Sequence, residues 1–328
     1  MIVNQNGFLY KVLQEGKTIF LEAIKASVDL YKVMIPFLIL TRLLEQIGVI
    51  DKLGSLLGPI MGIMGLPGNM GLVWATCLVL GTYSALLVLI TLIGSTPLTI
   101  AQTTVLLTIC LIAHSLPVEV MIARKAGLRI GFQLVLRVGG AVFYGILLNM
   151  FYRQSNLLQE SVKILAPIVV PDPSLLGWVN SQIRNLFLIF LIILGVMGLL
   201  RMLDIVGITS LISKLIGPIL RLIGIGEIAI PVTMVGILLG LSYGSGLILN
   251  AAKSGKIPPY DMFFSLALMC IFHSLIEDTI TMFVFGADLS GLLWGRLIFT
   301  FITLFLMVRL LRQMPHTIFQ RYLFATSY

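Results

Sequence analysis

Two stretches, "LIAHSLPVEV" (111–120) and "IFHSLIEDTI" (271–280), carry the same His-Ser-Leu core inside otherwise apolar runs. Their histidines, His114 and His273, are 159 residues apart. Sliding the whole chain by that offset aligns further uncommon residues without a gap. Arg42 falls on Arg201, Gly48 on Gly207, Gly58-Pro59 on Gly217-Pro218 and Gly65 on Gly224. Gly81 falls on Gly240, Arg137 on Arg296 and Arg153 on Arg312. Leucine matches mean little in so apolar a chain, whereas composition predicts fewer than about one Arg–Arg coincidence at a fixed offset. Residues 18–153 and 177–312 therefore read as two copies of one unit.

The chain is 58% hydrophobic and 11% charged over 328 residues. A soluble domain carries about 25% charged residues, so this one lacks the polar groups to cover a water-facing surface. Apolar segments near spanning length recur at 70–93, 99–123, 130–152, 183–200, 228–250, 260–285 and 288–308. The fold class is an all-α polytopic membrane protein, with the lipid bilayer as its surroundings. The net charge of +8 comes from Lys and Arg concentrated at helix ends, and no basic run interleaved with aromatics appears, so no nucleic-acid partner is expected. Cys77, Cys110 and Cys270 sit in apolar segments without a CxxC pair and read as small core residues.

Residues 1–17 have no signal-peptide pattern and begin an amphipathic stripe (Phe8, Leu9, Val12, Leu13, then Ile19, Phe20, Ala23, Ile24) suited to the membrane interface. Between the copies, 154–176 is polar and then Pro-rich, an inter-repeat loop outside the membrane core. Residues 313–328 form a basic tail. The loop at 123–130 carries Arg124, Lys125 and Arg129, whereas its counterpart at 284–290 carries only Asp288. The loop at 94–99 is uncharged, whereas its counterpart at 251–257 carries Lys253 and Lys256. The positive-inside bias swaps sides between copies, as expected of inverted-topology repeats. Inversion needs an odd number of crossings per copy. Counting the short Gly-Pro elements at 51–65 and 208–224 as broken fifth crossings gives five membrane elements each, some broken or re-entrant. Both termini are then cytoplasmic at an inner membrane, and the linker is outside.

An ionisable group at mid-bilayer costs roughly 3 kcal/mol or more and normally faces a cavity or a partner. His273 and Glu277 are four apart and share one helical face. Asp278 lies about 140° from His273 on a regular helix, so it faces elsewhere or the helix is broken. The first copy offers His114, Pro117 and Glu119, with Glu119 aligned to Asp278. Pro117 frees a backbone carbonyl beside His114. Arg137 and Arg296 are expected to meet carboxylates among Glu119, Glu277 and Asp278. The aligned segments 80–89 and 239–250 concentrate small and hydroxyl residues, so Tyr83, Ser84, Ser242, Tyr243, Ser245 and Asn250 offer neutral hydrogen bonds to a polar solute, or simply allow close helix packing. If a metal binds, His273, Glu277 and His114 are its candidate ligands.

Two copies, each with a Gly-Pro element ("GLPGNMGL" at 65–72 follows the first) and a His-Ser-Leu span, resemble the nucleoside-recognition (Gate) family of membrane proteins. That family is similar to the membrane part of ferrous-iron permeases, to spore-maturation membrane proteins and, more distantly, to concentrative nucleoside transporters. The residues and the resemblance together lead us to expect a secondary transporter for a small polar or ionic solute, proton- or cation-coupled, with no cofactor. Compact inverted-repeat transporters often form homodimers, which makes a second copy one possible partner. The alternatives are a membrane assembly or signalling partner and, less favoured because no HExxH or GxSxG pattern is present, an intramembrane enzyme.

Overall fold

The computed structural model describes residues 5–47, 49–165 and 174–325, without the side chains of residues 5–15 and of some later helical positions, Tyr243 among them. The first copy comprises α1 (Gln5–Gln46), α2 (Val49–Ile63), α3 (Met70–Leu80), α4 (Thr82–Ile93), α5 (Ile100–Ile112), α6 (Leu116–Lys125) and α7 (Ile130–Ser155). The second comprises α8 (Leu175–Ile205), α9 (Ile208–Leu222), α10 (Ile230–Tyr243), α11 (Ser245–Lys253), α12 (Pro259–Ile271), α13 (Glu277–Val284) and α14 (Ser290–Leu311), followed by α15 (His316–Tyr322). Among the described residues, four helical stretches are long and apolar enough to cross a membrane: 100–125, 130–155, 175–205 and 290–311. The chain is an all-α, multi-pass membrane protein.

The 159-residue offset extends to the backbone. Helices α2 and α9 correspond end to end, as do α5 and α12. Positive φ recurs at Gly65 and Gly224, Gly81 and Gly240, Gly127 and Gly286, and at the non-glycine pair Ser115 (46°) and Ser274 (48°). A π-helical turn interrupts α7 at Val135–Gly139 and opens α14 at Ser290–Gly295.

Two segments read as simple spans from the sequence are not crossings. At Gly81 the backbone takes φ 101°, ψ −179° and the chain reverses. Asn69, just before α3, donates to Thr96, just after α4, so both ends of 70–93 lie together. Glycine is required there because such a φ is closed to side chains. Gly240 (φ 85°, ψ 173°) does the same in the second copy. There a Cβ on Gly244 would lie 2.9 Å from Val235, and Gly226 abuts Asp261. The two segments are re-entrant helical hairpins. The Gly-Pro elements are the short helices α2 and α9, of 15 residues each, which rise about 22 Å against a hydrocarbon core of roughly 30 Å. The stripe expected to lie flat continues without a break into α1, which runs 42 residues. Its residues before 16 have no described side chains. Further along, Ala23 and Ser27 are buried, Phe20 meets Phe190 at 6.1 Å between ring centroids, and Tyr31 donates to Leu186 O, joining α1 to α8.

The loops fall into two groups at opposite ends of α7. At its C-terminal end, Ile100 N donates to Glu160 O, Val162 N to Leu98 O, and Leu165 N to Val284 O. This gathers the 94–99 loop, the first part of the linker and the 284–290 loop. At its N-terminal end, Arg129 N donates to Leu323 O and Ala325 N to Gly127 O, while Tyr260 stacks on Phe319 at 4.2 Å. This gathers the 124–130 loop, the segment entering α12, and the tail. The 26 residues of α7 separate the groups by about 39 Å.

Candidate functional site

Both His-Ser-Leu triplets are places where a helix stops and restarts. Between α5 and α6 the backbone leaves the helical region at Ala113 (φ −130°, ψ 87°), and between α12 and α13 it does so at Phe272 (φ −135°, ψ 85°). Each break frees carbonyls that need donors within the membrane. The first break is covered well. His114 Nδ1 sits 3.1 Å from Cys110 O, Arg137 Nε donates to Ile112 O (3.0 Å), and Nη2 donates to His114 O (2.9 Å). The second is covered by His273 Nδ1, 2.6 Å from Met269 O. Backbone bonds join each break to the facing hairpin: Ser115 N donates to Cys77 O (3.0 Å), and Leu275 N to Ile237 O (2.8 Å). The Gly81 and Gly240 tips therefore meet the two helix breaks at the centre of the molecule.

The breaks bring the ionisable groups together across the copies. His114 Nε2 and His273 Nε2 are 3.0 Å apart, with ring centroids at 4.7 Å. Glu119 Oε2 lies 3.4 Å from His273 Nε2, and Asp278 Oδ2 lies 3.9 Å from His114 Nε2. Each copy's carboxylate thus reaches the other copy's imidazole, the reciprocal pattern of a two-fold relation. Glu119 Oε1 is also 3.5 Å from His114 Nε2, and Ser242 donates to it at 3.4 Å. Arg137 and His273 are fully buried, and His114, Glu119 and Asp278 nearly so.

A cavity of about 180 Å³ opens onto this centre, lined by Tyr83, His114, Glu119, Ser242, Glu277 and Asp278. Tyr83 donates to Glu277 Oε1 at 3.1 Å. The helix break answers the question that spacing left open for Asp278: it joins the cluster because α13 is a new helix. Ser84 is buried without a hydrogen-bond partner, while Ser245 and Asn250 lie off the cavity wall. The Tyr243 side chain is outside the described residues. Sequence reasoning missed five lining positions, Thr82, Ser115, Leu239, Gly240 and Ser274. The repeated serine of the triplet was the available signal for two of them.

Two expectations are corrected. Arg137 meets Glu119, with Nη1 2.6 Å from Oε2. Arg296 meets no carboxylate within 4.0 Å among the described residues. Its guanidinium lies 4.8 Å over the Phe272 ring and donates weakly to Thr279 Oγ1 (3.4 Å), leaving Nε and Nη1 without partners. The second break has turned the aromatic ring, where the first presents a carbonyl, towards the arginine. The metal-ligand set also differs. His114, Glu119 and His273 converge, with donor atoms within 4.8 Å of one another, while Glu277 is engaged by Tyr83.

Residues 28–129 match the Gate family, described as nucleoside recognition. The Gate match covers Tyr83, His114 and Glu119 and stops before Arg137. A Bacillus subtilis (strain 168) relative, named uncharacterized membrane protein YvoD, is 26% identical over 285 residues, spanning 84% of this chain and 90% of its own. The relative's alignment is long enough to extend beyond the Gate segment into the second copy. No solved structure matches the chain.

Proposed function

We propose that this protein is a secondary transporter, and not an enzyme, that moves a small polar or ionic solute through the His114–His273 centre by alternating access between two inverted repeats. The observation that carries the reading is the cavity itself: two re-entrant tips and two broken helices converge on ionisable groups inside a membrane protein. Unwound backbone and charged side chains at such depth are tolerated where they line a path. The Gate match supports the transporter class and leaves the solute open.

Inversion is supported by the loop groups. The 124–130 loop and its counterpart at 284–290 lie at opposite ends of α7, not the same end. With hairpins at 70–93 and 230–253, the helices running from end to end are α1, α5/α6 and α7 in one copy and α8, α12/α13 and α14 in the other. That is three in each among the described residues, an odd number without the Gly-Pro elements. Both termini then share the side bearing Arg124, Lys125, Lys253 and Lys256, which the charge bias makes cytoplasmic. Cysteines introduced at Ser95 and Lys253 are expected to react with a membrane-impermeant thiol reagent from opposite sides, and labelling from the same side refutes inversion.

The transport reading is tested in proteoliposomes by screening nucleosides, amines, organic anions and cations, and then comparing variants. His114→Ala and His273→Ala are each expected to lower the flux of the identified solute at least about tenfold, the scale of one lost charged contact of about 1.4 kcal/mol. Unchanged flux in both variants overturns it.

A further inference from the structure

Each imidazole at the centre is committed at one nitrogen. Nδ1 of His114 and Nδ1 of His273 face the carbonyls of Cys110 and Met269. A carbonyl only accepts, so both Nδ1 atoms carry protons, and a neutral ring then presents only a lone pair at Nε2. These two lone pairs are aimed at each other across 3.0 Å. Two acceptors do not hold that distance unaided; something positive belongs between them, either a shared proton or a metal cation.

The surrounding oxygens separate the two. A shared proton engages only the nitrogens. It leaves Glu119 at 3.4 and 3.5 Å and Asp278 at 3.9 Å, beyond the roughly 2.7–3.2 Å of an N–H···O bond. Ligand atoms bound tetrahedrally to one cation at about 2.0–2.2 Å stand about 3.3–3.6 Å from each other. Glu119 meets His273 through Oε2 at 3.4 Å and His114 through Oε1 at 3.5 Å, near that range, while the two Nε2 atoms at 3.0 Å stand slightly inside it. Both carboxylate oxygens thus face the gap between the imidazoles, and one donor atom from each of the three residues lies within 4.8 Å of the others. An Nδ1–H donated to a backbone carbonyl is the usual outer support of a metal-bound histidine. Glu119 Oε2 is buried with no hydrogen-bond partner, its approach to Arg137 being one of charge without hydrogen-bond geometry. Glu119, Glu277 and Asp278 bring three carboxylates to the cavity against the two buried guanidinium groups of Arg137 and Arg296.

We propose that His114, His273 and Glu119 form a binding site for a divalent first-row transition cation, with Asp278 as the fourth ligand. Two imidazoles with carboxylates favour zinc, cobalt or their neighbours over magnesium and calcium, which take oxygen-only shells. The site stands whether or not the protein transports, because binding is read at equilibrium without a flux.

The test uses the purified full-length protein in detergent, stripped with chelator and titrated with Co²⁺, with Zn²⁺ as competitor. The expected result is one saturable four-coordinate cobalt absorption band per chain, displaced by zinc. Affinity falls about 100-fold or more in His114→Ala and in His273→Ala, exceeding the 10–100-fold typical of losing an outer-shell partner, and is unchanged in the surface variant Asp29→Asn. Because an unfolded variant also loses binding, His114→Cys supplies a gained signal: it retains cobalt and adds sulfur-to-metal charge-transfer absorption. The proposal is overturned if wild-type protein gives no saturable band, if binding survives in the double alanine variant, or if His114→Cys adds no new absorption.

Discussion

Arg137→Met is expected to destabilise the protein by about 3–5 kcal/mol, the cost of removing one partner of a buried ion pair. Arg296→Met is expected to cost far less. The two arginines occupy equivalent positions and both are fully buried, so any account resting on position alone predicts equal losses. Their surroundings say otherwise. Arg137 holds Glu119 at 2.6 Å and donates to two carbonyls freed by the first helix break. Methionine there leaves a buried carboxylate without its counter-charge and two carbonyls without their arginine donor, each carbonyl worth a further 1–3 kcal/mol or so. Arg296 already has Nε and Nη1 unpartnered, and its main contact is the Phe272 face. Methionine keeps that apolar contact and removes the unmet donors. Reversible unfolding in mixed micelles measures both variants, and equal losses would sink the asymmetry.

The second large effect is expected at the hairpin tips. Gly81→Ala and Gly240→Ala should each cost about 1–3 kcal/mol in backbone strain alone, because this region of φ and ψ is essentially closed to residues with a Cβ. The new methyl would also stand 2.6 Å from Ser115 Oγ in the first copy, and closer still to Ser274 Oγ in the second. The serine can rotate, but the strained φ cannot be relieved without opening the tip. Since Ser115 and Ser274 immediately follow the two central histidines, opening the tip moves His114 or His273. Flux should fall together with stability. Gly246→Ala is the control on the same hairpin: its added Cβ meets nothing within 4 Å, and a helical glycine replaced by alanine gains up to about 1 kcal/mol. Tip variants that match Gly246→Ala in stability and flux would show that the reversal does not depend on glycine.

Much of the site was legible because polar groups are expensive in an apolar chain and therefore stand out. His114, Glu119, His273, Glu277 and Asp278 could be picked by cost alone, and all but His273 line the central cavity. What spacing could not do was choose partners. A regular helix puts His273 and Glu277 on one face; the break after Ile271 instead gives Asp278 to the cluster and sends Glu277 to Tyr83. Hydropathy likewise could not distinguish a span from a hairpin. The runs at 70–93 and 228–250 are long enough to cross, and only the pairing of Asn69 with Thr96 reveals that the first of them returns to the side it left.

The sequence by itself determined the class of protein, the 159-residue duplication and the inventory of buried polar groups, because composition, period and desolvation cost are properties of residues taken singly or at a fixed offset. The tertiary structure alone decided that the two copies interlock through their helix breaks, that Arg137 meets a carboxylate while Arg296 meets none among the described residues, and that two imidazoles and a carboxylate converge. The meeting of the two copies depends on contacts between residues more than a hundred positions apart, where local backbone preference carries no information. The arginine asymmetry depends on contacts within each copy that form only because a helix breaks between the partners.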